Sequence, residues 1–290
     1  LPSVTLVDGD YSYQTFYFAP ASSNASQRRL AIVYRDPQGI ELWMRLSDIF
    51  CLSTDTQGWR LFPLPGGDAL MYGSSNWSIS GPTELIVMRI RSNGTIAWKQ
   101  QIRIQQAVSD PFGNSNRVSH IRDVVLHPGL NQLIFAVTHG AHQPSYIYVD
   151  PNAGTYLGAR ILTGSQLVSG GLFGTQHVSH APIIKADGRM ILSGGRSVAP
   201  NYTWIIETDA LCTSIAQFWK YSDGTSLQYS NGVVSHPDGS ITLFGDSSAR
   251  LILNPDFTIR SRVGVQASDF GGGRSNGICR VVDADGTVYS

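Results

Sequence analysis

The chain repeats itself. The stretches Ser119–Gly129, Ser179–Gly188, Ser230–Gly239 and Ser275–Gly286 share one form: a Ser-His or Ser-Asn pair, a short apolar run, then a turn containing glycine. A second apolar run follows the first three of those turns, at residues 132–137, 189–193 and 240–244. Two apolar runs around a turn whose glycine supplies positive φ are the pattern of a β-hairpin. A hairpin that recurs along a chain excludes most folds, because every copy must bury its faces against the same kind of neighbour.

Two weaker copies lie upstream, at Thr56–Trp59 before the turn Gly66–Asp68 and at Ser12–Tyr13 before residues 14–18. The units then start near 12, 56, 119, 179, 230 and 275, at spacings between 44 and 63 residues. That suits four short strands plus loops of variable length, the build of a propeller blade, whereas a solenoid holds its period more tightly. The second half of each unit carries a further hairpin, in Leu85–Trp98, Tyr146–Tyr156 and Arg250–Ile259, and in Trp204–Phe218 without the turn glycine. The expectation is an all-β chain, with one β-propeller domain over residues 1–290 and about six four-stranded blades. The last unit ends at Tyr289–Ser290 after two strands, while Val4–Val7 is an apolar strand without a unit of its own. Pairing Val4–Val7 with the C-terminal blade, near residues 287–289, is the expected closure, since it removes exposed edges.

Composition points the same way. The 290 residues include three Glu and three Lys against 18 Asp and 18 Arg, so the charged residues that favour helices are scarce. Lys plus Arg balances Asp plus Glu at 21 each, which leaves no basic field to gather nucleic acid. No window approaches 18 consecutive apolar residues, and residues 1–10 lack the basic start and long apolar run of a signal peptide. A soluble chain without membrane insertion is expected, any export signal having already gone. A surface rich in Ser, Thr, Asn, Gln and Gly suggests a secreted, cell-surface or virion-surface protein. Cys51, Cys212 and Cys279 lie far apart, so at most one disulfide forms and a zinc ribbon is excluded by spacing.

The turns carry a resemblance. The units resemble those of bacterial β-propellers of the quinoprotein-like and arylsulfotransferase-like kind, in which a DG-x-apolar-apolar turn leads to a DG-x-apolar-x-W turn. His236–Gly245 and Ser92–Trp98 carry it best. The resemblance covers nearly the whole chain and is architectural: it implies the fold, and superfolds host unrelated chemistries.

If each Ser-x pair opens the innermost strand, then Tyr13, Gln57, His120, His180, Asn231 and Asn276 ring one mouth of the channel. Loops returning to that face bring His139 and His142, Arg196 and Trp77. Loops on a rigid scaffold are where ligands usually bind, and these ten residues are the expected ligand-binding set. The ring also suits a water-filled channel whose polar groups need partners. Converging imidazoles of His120 and His180 with His139, His142 or His177 could hold a transition metal, but no close-spaced ligand pair is present, so neither a metal nor a cofactor is expected. His127 and His236, beside turns, read as structural. With Glu41, Glu84 and Glu207 the only glutamates, no carboxylate pair of a glycosidase is visible. Ser53–Trp59 is like a sialidase Asp box with its Gly and Trp displaced, and neither a G-x-S-x-G elbow nor a phosphate loop occurs. The leading expectation is therefore a non-catalytic recognition propeller that binds a glycan or protein partner through one rim face. Two alternatives stand beside it. One is a propeller enzyme acting on sulfate esters or glycans, with His120, His180 and Arg196 in the roles the arylsulfotransferase resemblance implies; the other is a structural subunit of a larger assembly.

Overall fold

The structure, a computed structural model, describes residues 3–7, 11–18, 29–50, 60–74, 84–103, 118–139, 143–161, 177–179, 182–196, 202–221, 232–244, 250–263, 281–282 and 288–289. These form antiparallel sheets in chain order. The first contains β1 (Ser3–Val7), β2 (Tyr11–Phe18), β3 (Arg29–Arg35) and β4 (Glu41–Phe50), and the second β5 (Arg60–Pro63), β6 (Ala69–Ser74), β7 (Glu84–Ile90) and β8 (Ile96–Arg103). The third contains β9 (Val118–His127), β10 (Gln132–His139), β11 (Gln143–Val149) and β12 (Tyr156–Ile161). In the fourth, β13 (His177–Ser179) and β14 (Ile183–Ile184) both pair with β15 (Met190–Arg196), followed by β16 (Tyr202–Thr208) and β17 (Ile215–Tyr221). The fifth contains β18 (Gly232–Ser235), β19 (Ile241–Phe244), β20 (Arg250–Leu253) and β21 (Ile259–Val263), and β22 (Val281–Val282) pairs β23 (Val288–Tyr289). Among the described residues there is no α-helix, and hence none long and apolar enough to cross a membrane.

Alternation along the middle strands explains how the sheets stack. In β10, Leu133, Phe135 and Val137 share a core with Leu70, Tyr72, Leu85 and Val87 of the second sheet. The intervening Ile134 and Ala136 share another with Met190, Leu192, Trp204 and Ile206 of the fourth. Met71 and Met88 face Tyr13, Ile32 and Tyr34 of the first sheet, and Ile191 and Ile205 face Leu243 and Leu251 of the fifth. Successive side chains of a strand point to opposite faces, so a strand buried on both faces needs an unbroken apolar run. Each consecutive pair of sheets thus shares one core, the propeller type of arrangement.

Tryptophans fasten neighbouring sheets along their outer strands. The Trp43 Nε1–H on β4 donates to the Ser92 carbonyl at 3.0 Å, and the ring covers Gly94, whose φ is +80° and where a Cβ would come within 2.9 Å of it. One sheet on, the Trp98 Nε1–H of β8 donates to the Pro151 carbonyl at 3.0 Å over Gly154, φ +72°. The glycine-turn and tryptophan pattern is therefore an inter-sheet contact: the outer tryptophan of one sheet seats on the glycine turn of the next.

The expected closure is not found among the described residues. β1 pairs β2, from Ser3 opposite Thr15 to Val7 opposite Tyr11, and among the described residues no ladder joins β1 to β22 or β23. Only three residues separate Val7 from Tyr11, and antiparallel strands so closely linked pair locally. Consequently Ser12 and Tyr13 lie on the second strand of their sheet, and the first unit was read one strand out of step.

Candidate functional site

Each described sheet has two unlike ends. At one end tight turns join the third strand to the fourth in the first to fifth sheets, and the first strand to the second in the second, third and fifth, with the β14–β15 turn matching them in the fourth. Aspartates there accept backbone N–H groups within the turn: Asp36 from Gln38 and Ile40, Asp187 from Arg189, Asp209 from Leu211 and Thr213, and Asp238 from Ser240. These carboxylates are committed to holding turns. Asp187, Asp209, Asp238 and Asp256 are all shifted downward; for Asp209, desolvation works against this and hydrogen bonds from Thr213 and Ser214 outweigh it, giving about 2. His127, buried at the same end, donates from Nε2 to the Gly188 carbonyl at 2.9 Å and accepts the Leu130 N–H at Nδ1, tying the third sheet to the fourth. His236 Nε2 lies 2.7 Å from Thr242 Oγ1.

The opposite end of the sheets is where the longer connections leave. His120 on β9 stands opposite Thr138, and His139 closes β10 opposite Val118 and Gln143. Arg196 closes β15 opposite His177 and Tyr202. Arg60 opens β5 opposite Tyr72. β13 lies against β10 and β11, so the strand that begins at His177 neighbours the strand that ends at His139. Tyr13 is elsewhere: it is 0% exposed in the seam between the first and second sheets, against Tyr34 and Trp43, and its hydroxyl donates to the Gly67 carbonyl at 3.2 Å. That leaves its ring no face for a ligand. Gln57, Trp77, His142, His180, Asn231 and Asn276 lie outside the described residues.

Sequence reasoning passed over Asp123. It sits on β9, where the register slips between Asp123 opposite Ala136 and Ile121 opposite Val137. A bulge of this kind re-aims a side chain and is frequent beside active sites. The Asp123 Oδ1 accepts the Val124 N–H at 3.0 Å and the Tyr72 hydroxyl at 3.3 Å, across the boundary between second and third sheets. Asp123 as a whole is exposed, with its carboxyl set against the Tyr72 hydroxyl and the Val124 N–H. Desolvation dominates and raises its pKa; the Val124 N–H, the Arg60 charge and the Tyr72 hydroxyl oppose the rise without cancelling it. A carboxyl whose protonated form is favoured by desolvation is suited to deliver a proton. The one available signal was the charged pair Arg122-Asp123 within Ile121–Leu126, a run that otherwise reads as buried strand. Among the described residues no group of three His, Cys, Asp or Glu side chains converges as metal ligands would.

No protein-family model matches the chain, and no curated protein matches it. Solved structures do. A candidate 6-phosphogluconolactonase from Bacteroides fragilis superposes with a TM-score of 0.54 at 14% identity, over 96% of this chain and 72% of that one. Its counterpart from Bacteroides uniformis gives 0.53 at 14% identity, over 96% and 73%. The α-L-arabinofuranosidase of Fusarium graminearum, solved with an iminosugar inhibitor, gives 0.50 at 14% identity, over 87% and 76%. The likeness shows a shared fold of the propeller type. It also overturns the expectation of a non-catalytic recognition propeller. The matches are named for carbohydrate-processing activities, which point away from non-catalytic recognition.

Proposed function

We propose that the chain is a carbohydrate-processing enzyme that cleaves a C1–O bond of a sugar, a glycosidic or lactone bond, at the loop end of its first strands. The observation that carries the reading is Asp123, exposed at the register slip of a first strand, its carboxyl held by Tyr72 and Val124 beside Arg60. In this role water bonds to C1 as the C1–O bond breaks, the protonated Asp123 carboxyl donates to the departing sugar oxygen, and the Tyr72 hydroxyl holds the carboxylate that remains. In this reading His120, His139 and Arg196, whose backbone positions lie at the same end of the third and fourth sheets, orient the substrate. The names of the similar structures, with sugar lactones and arabinofuranosides as substrates, support this class of bond.

The proposed architecture adds a sixth blade to which β22 and β23 belong, seated against the first sheet to complete one domain. Support comes from β4, where Leu42, Met44 and Leu46 alternate with Trp43 and remain 51%, 49% and 45% exposed, a stripe that a further sheet would cover. The Ser, Thr and Asn-rich surface supports work outside the cell.

The test is turnover of sugar lactones, aryl glycosides and arabino-oligosaccharides by the wild type and Asp123→Asn. The amide retains an acceptor for Tyr72 and Val124, so folding is kept while the proton is lost. Expected is a fall of about 10²–10⁴ in kcat, the usual worth of a general acid. Glycan binding without turnover by the wild type, or full activity in Asp123→Asn, overturns the reading.

A further inference from the structure

We propose that Arg60 is a positioning residue for Asp123, acting through the Tyr72 hydroxyl, so that guanidinium, phenol and carboxyl form one hydrogen-bonded relay across two sheets. The inference rests on the enzyme reading above and adds to it a residue of the second sheet. Arg60 opens β5, half-buried and opposite Tyr72 on β6. Tyr72 is 2% exposed in the seam between the second and third sheets, where its ring meets Phe135 edge-on at 5.5 Å. A ring packed in this way has little freedom, and its hydroxyl is delivered to Asp123 Oδ1 at 3.3 Å.

Hydrogen-bonding capacity sets the direction of the relay. A phenol carries one proton, and Tyr72 gives it to the carboxyl. Its oxygen takes the Arg60 guanidinium as donor, a group that has protons to give and accepts none. Burial and the Asp123 charge push the Tyr72 pKa upward against the opposing charge of Arg60, so the phenol keeps its own proton. A cation bonded to the oxygen polarises the O–H and strengthens its bond to a carboxylate more than to a carboxylic acid. The Val124 N–H also donates to Oδ1, at 3.0 Å. Among the described residues both donors use Oδ1, which leaves Oδ2 to carry the proton of the acid. When that proton leaves, the new charge meets donors already in place; a proton shed by the incoming water restores the acid.

The groups around the carboxyl are few. Across β10 Asp123 stands opposite the apolar Ala136, the second sheet brings Arg60 and Tyr72, and on β9 itself Arg122 adjoins it and His120 precedes it. Burial raises the Asp123 pKa, and the Val124 N–H, the Arg60 charge and the Tyr72 hydroxyl oppose the rise. Removing Arg60 or the Tyr72 hydroxyl therefore moves the titration upward.

Carbon-13 NMR titration of the side-chain carboxyls of the intact chain tests this without turnover, the Asp123 signal being identified by its loss in Asp123→Asn. The other carboxyl signals report that each variant is folded. Arg60→Gln and Tyr72→Phe should each move the Asp123 titration upward by about one pH unit, and Arg60→Lys, which keeps the charge, should return most of that change. In the double variant the second substitution should add little, because both break the same relay; Arg122 is present throughout, so its charge is common to every comparison. Turnover should follow: the acid works protonated, so the alkaline limb of the pH profile moves upward with the titration. An Asp123 titration unmoved by Arg60→Gln, or effects of the two substitutions that add in full, overturns the proposal. Unmoved titration beside turnover that still requires Asp123 would strike the role of Arg60 and leave the enzyme standing. The predicted changes in a chain that turns over no sugar would do the reverse.

Discussion

Replacing Gly154 by alanine tests the contact between outer tryptophans and glycine turns. Gly154 has φ +72°, and a Cβ there would lie 2.5 and 2.7 Å from two atoms of the Trp98 ring and 3.0 Å from Gln100 Cγ. The left-handed conformation alone costs an L-residue about 1–2 kcal/mol. The overlap must then be relieved by moving the ring, which is held by its hydrogen bond to the Pro151 carbonyl. Overpacking of this kind costs about 1–3 kcal/mol, the lost hydrogen bond included in that range. Gly154→Ala should therefore destabilise by roughly 3 kcal/mol. Gly39 is the internal control: its φ is +80°, but nothing lies within 4 Å of a Cβ built on it. Gly39→Ala should cost only the conformational part, about 1–2 kcal/mol. Both substitutions change unfolded-chain entropy alike, so that contribution cancels between them. Urea denaturation of both variants, each with and without Trp98→Ala, reads the difference, which should disappear for Gly154 once the indole is removed. Equal losses in the two single variants, or a difference that survives Trp98→Ala, would refute the reasoning.

Two further predictions concern the turn end. His127→Ala leaves the Gly188 carbonyl and the Leu130 N–H without their buried partner and should cost about 2–4 kcal/mol in urea denaturation; a loss below about 0.5 kcal/mol would show the link to be idle. Asp209 titrates near 2 in the folded chain, below the unfolded value of about 3.9, so the stability it adds is present above pH 4 and is lost as pH falls through 2. Asp209→Ala should accordingly lower the urea midpoint at pH 7 and approach the wild type near pH 2; a gap constant across that range contradicts the assignment.

The fold was legible where one residue type is physically required. Where a turn at positive φ lies under an indole it tolerates no Cβ, so Gly94 beneath Trp43 and Gly154 beneath Trp98 stand out in sequence. Runs such as Leu133–Val137 stand out because both faces of the strand are buried. The first sheet was misread because β1 lacks the Ser-x opening of the later copies, so Ser12–Tyr13 on β2 took its place. That shift put Tyr13 in the proposed ring although its surroundings are Tyr34, Trp43 and the Gly67 carbonyl. Asp123 stayed hidden for a different reason. Its significance depends on a register slip and on Tyr72 and Arg60 from the preceding sheet, contacts across roughly fifty residues that no local pattern encodes. The aspartates easiest to see in sequence are those held in turns, and they mark the end of the sheets away from the candidate site.

A crystal structure of the chain with a bound sugar product or iminosugar tests the central claim most directly. The account predicts a sugar oxygen within about 3 Å of the Asp123 carboxyl, with the ligand between the second, third and fourth sheets at the end opposite the aspartate turns. A sugar seated on the turn end, or on the outer strands away from Asp123, would contradict it.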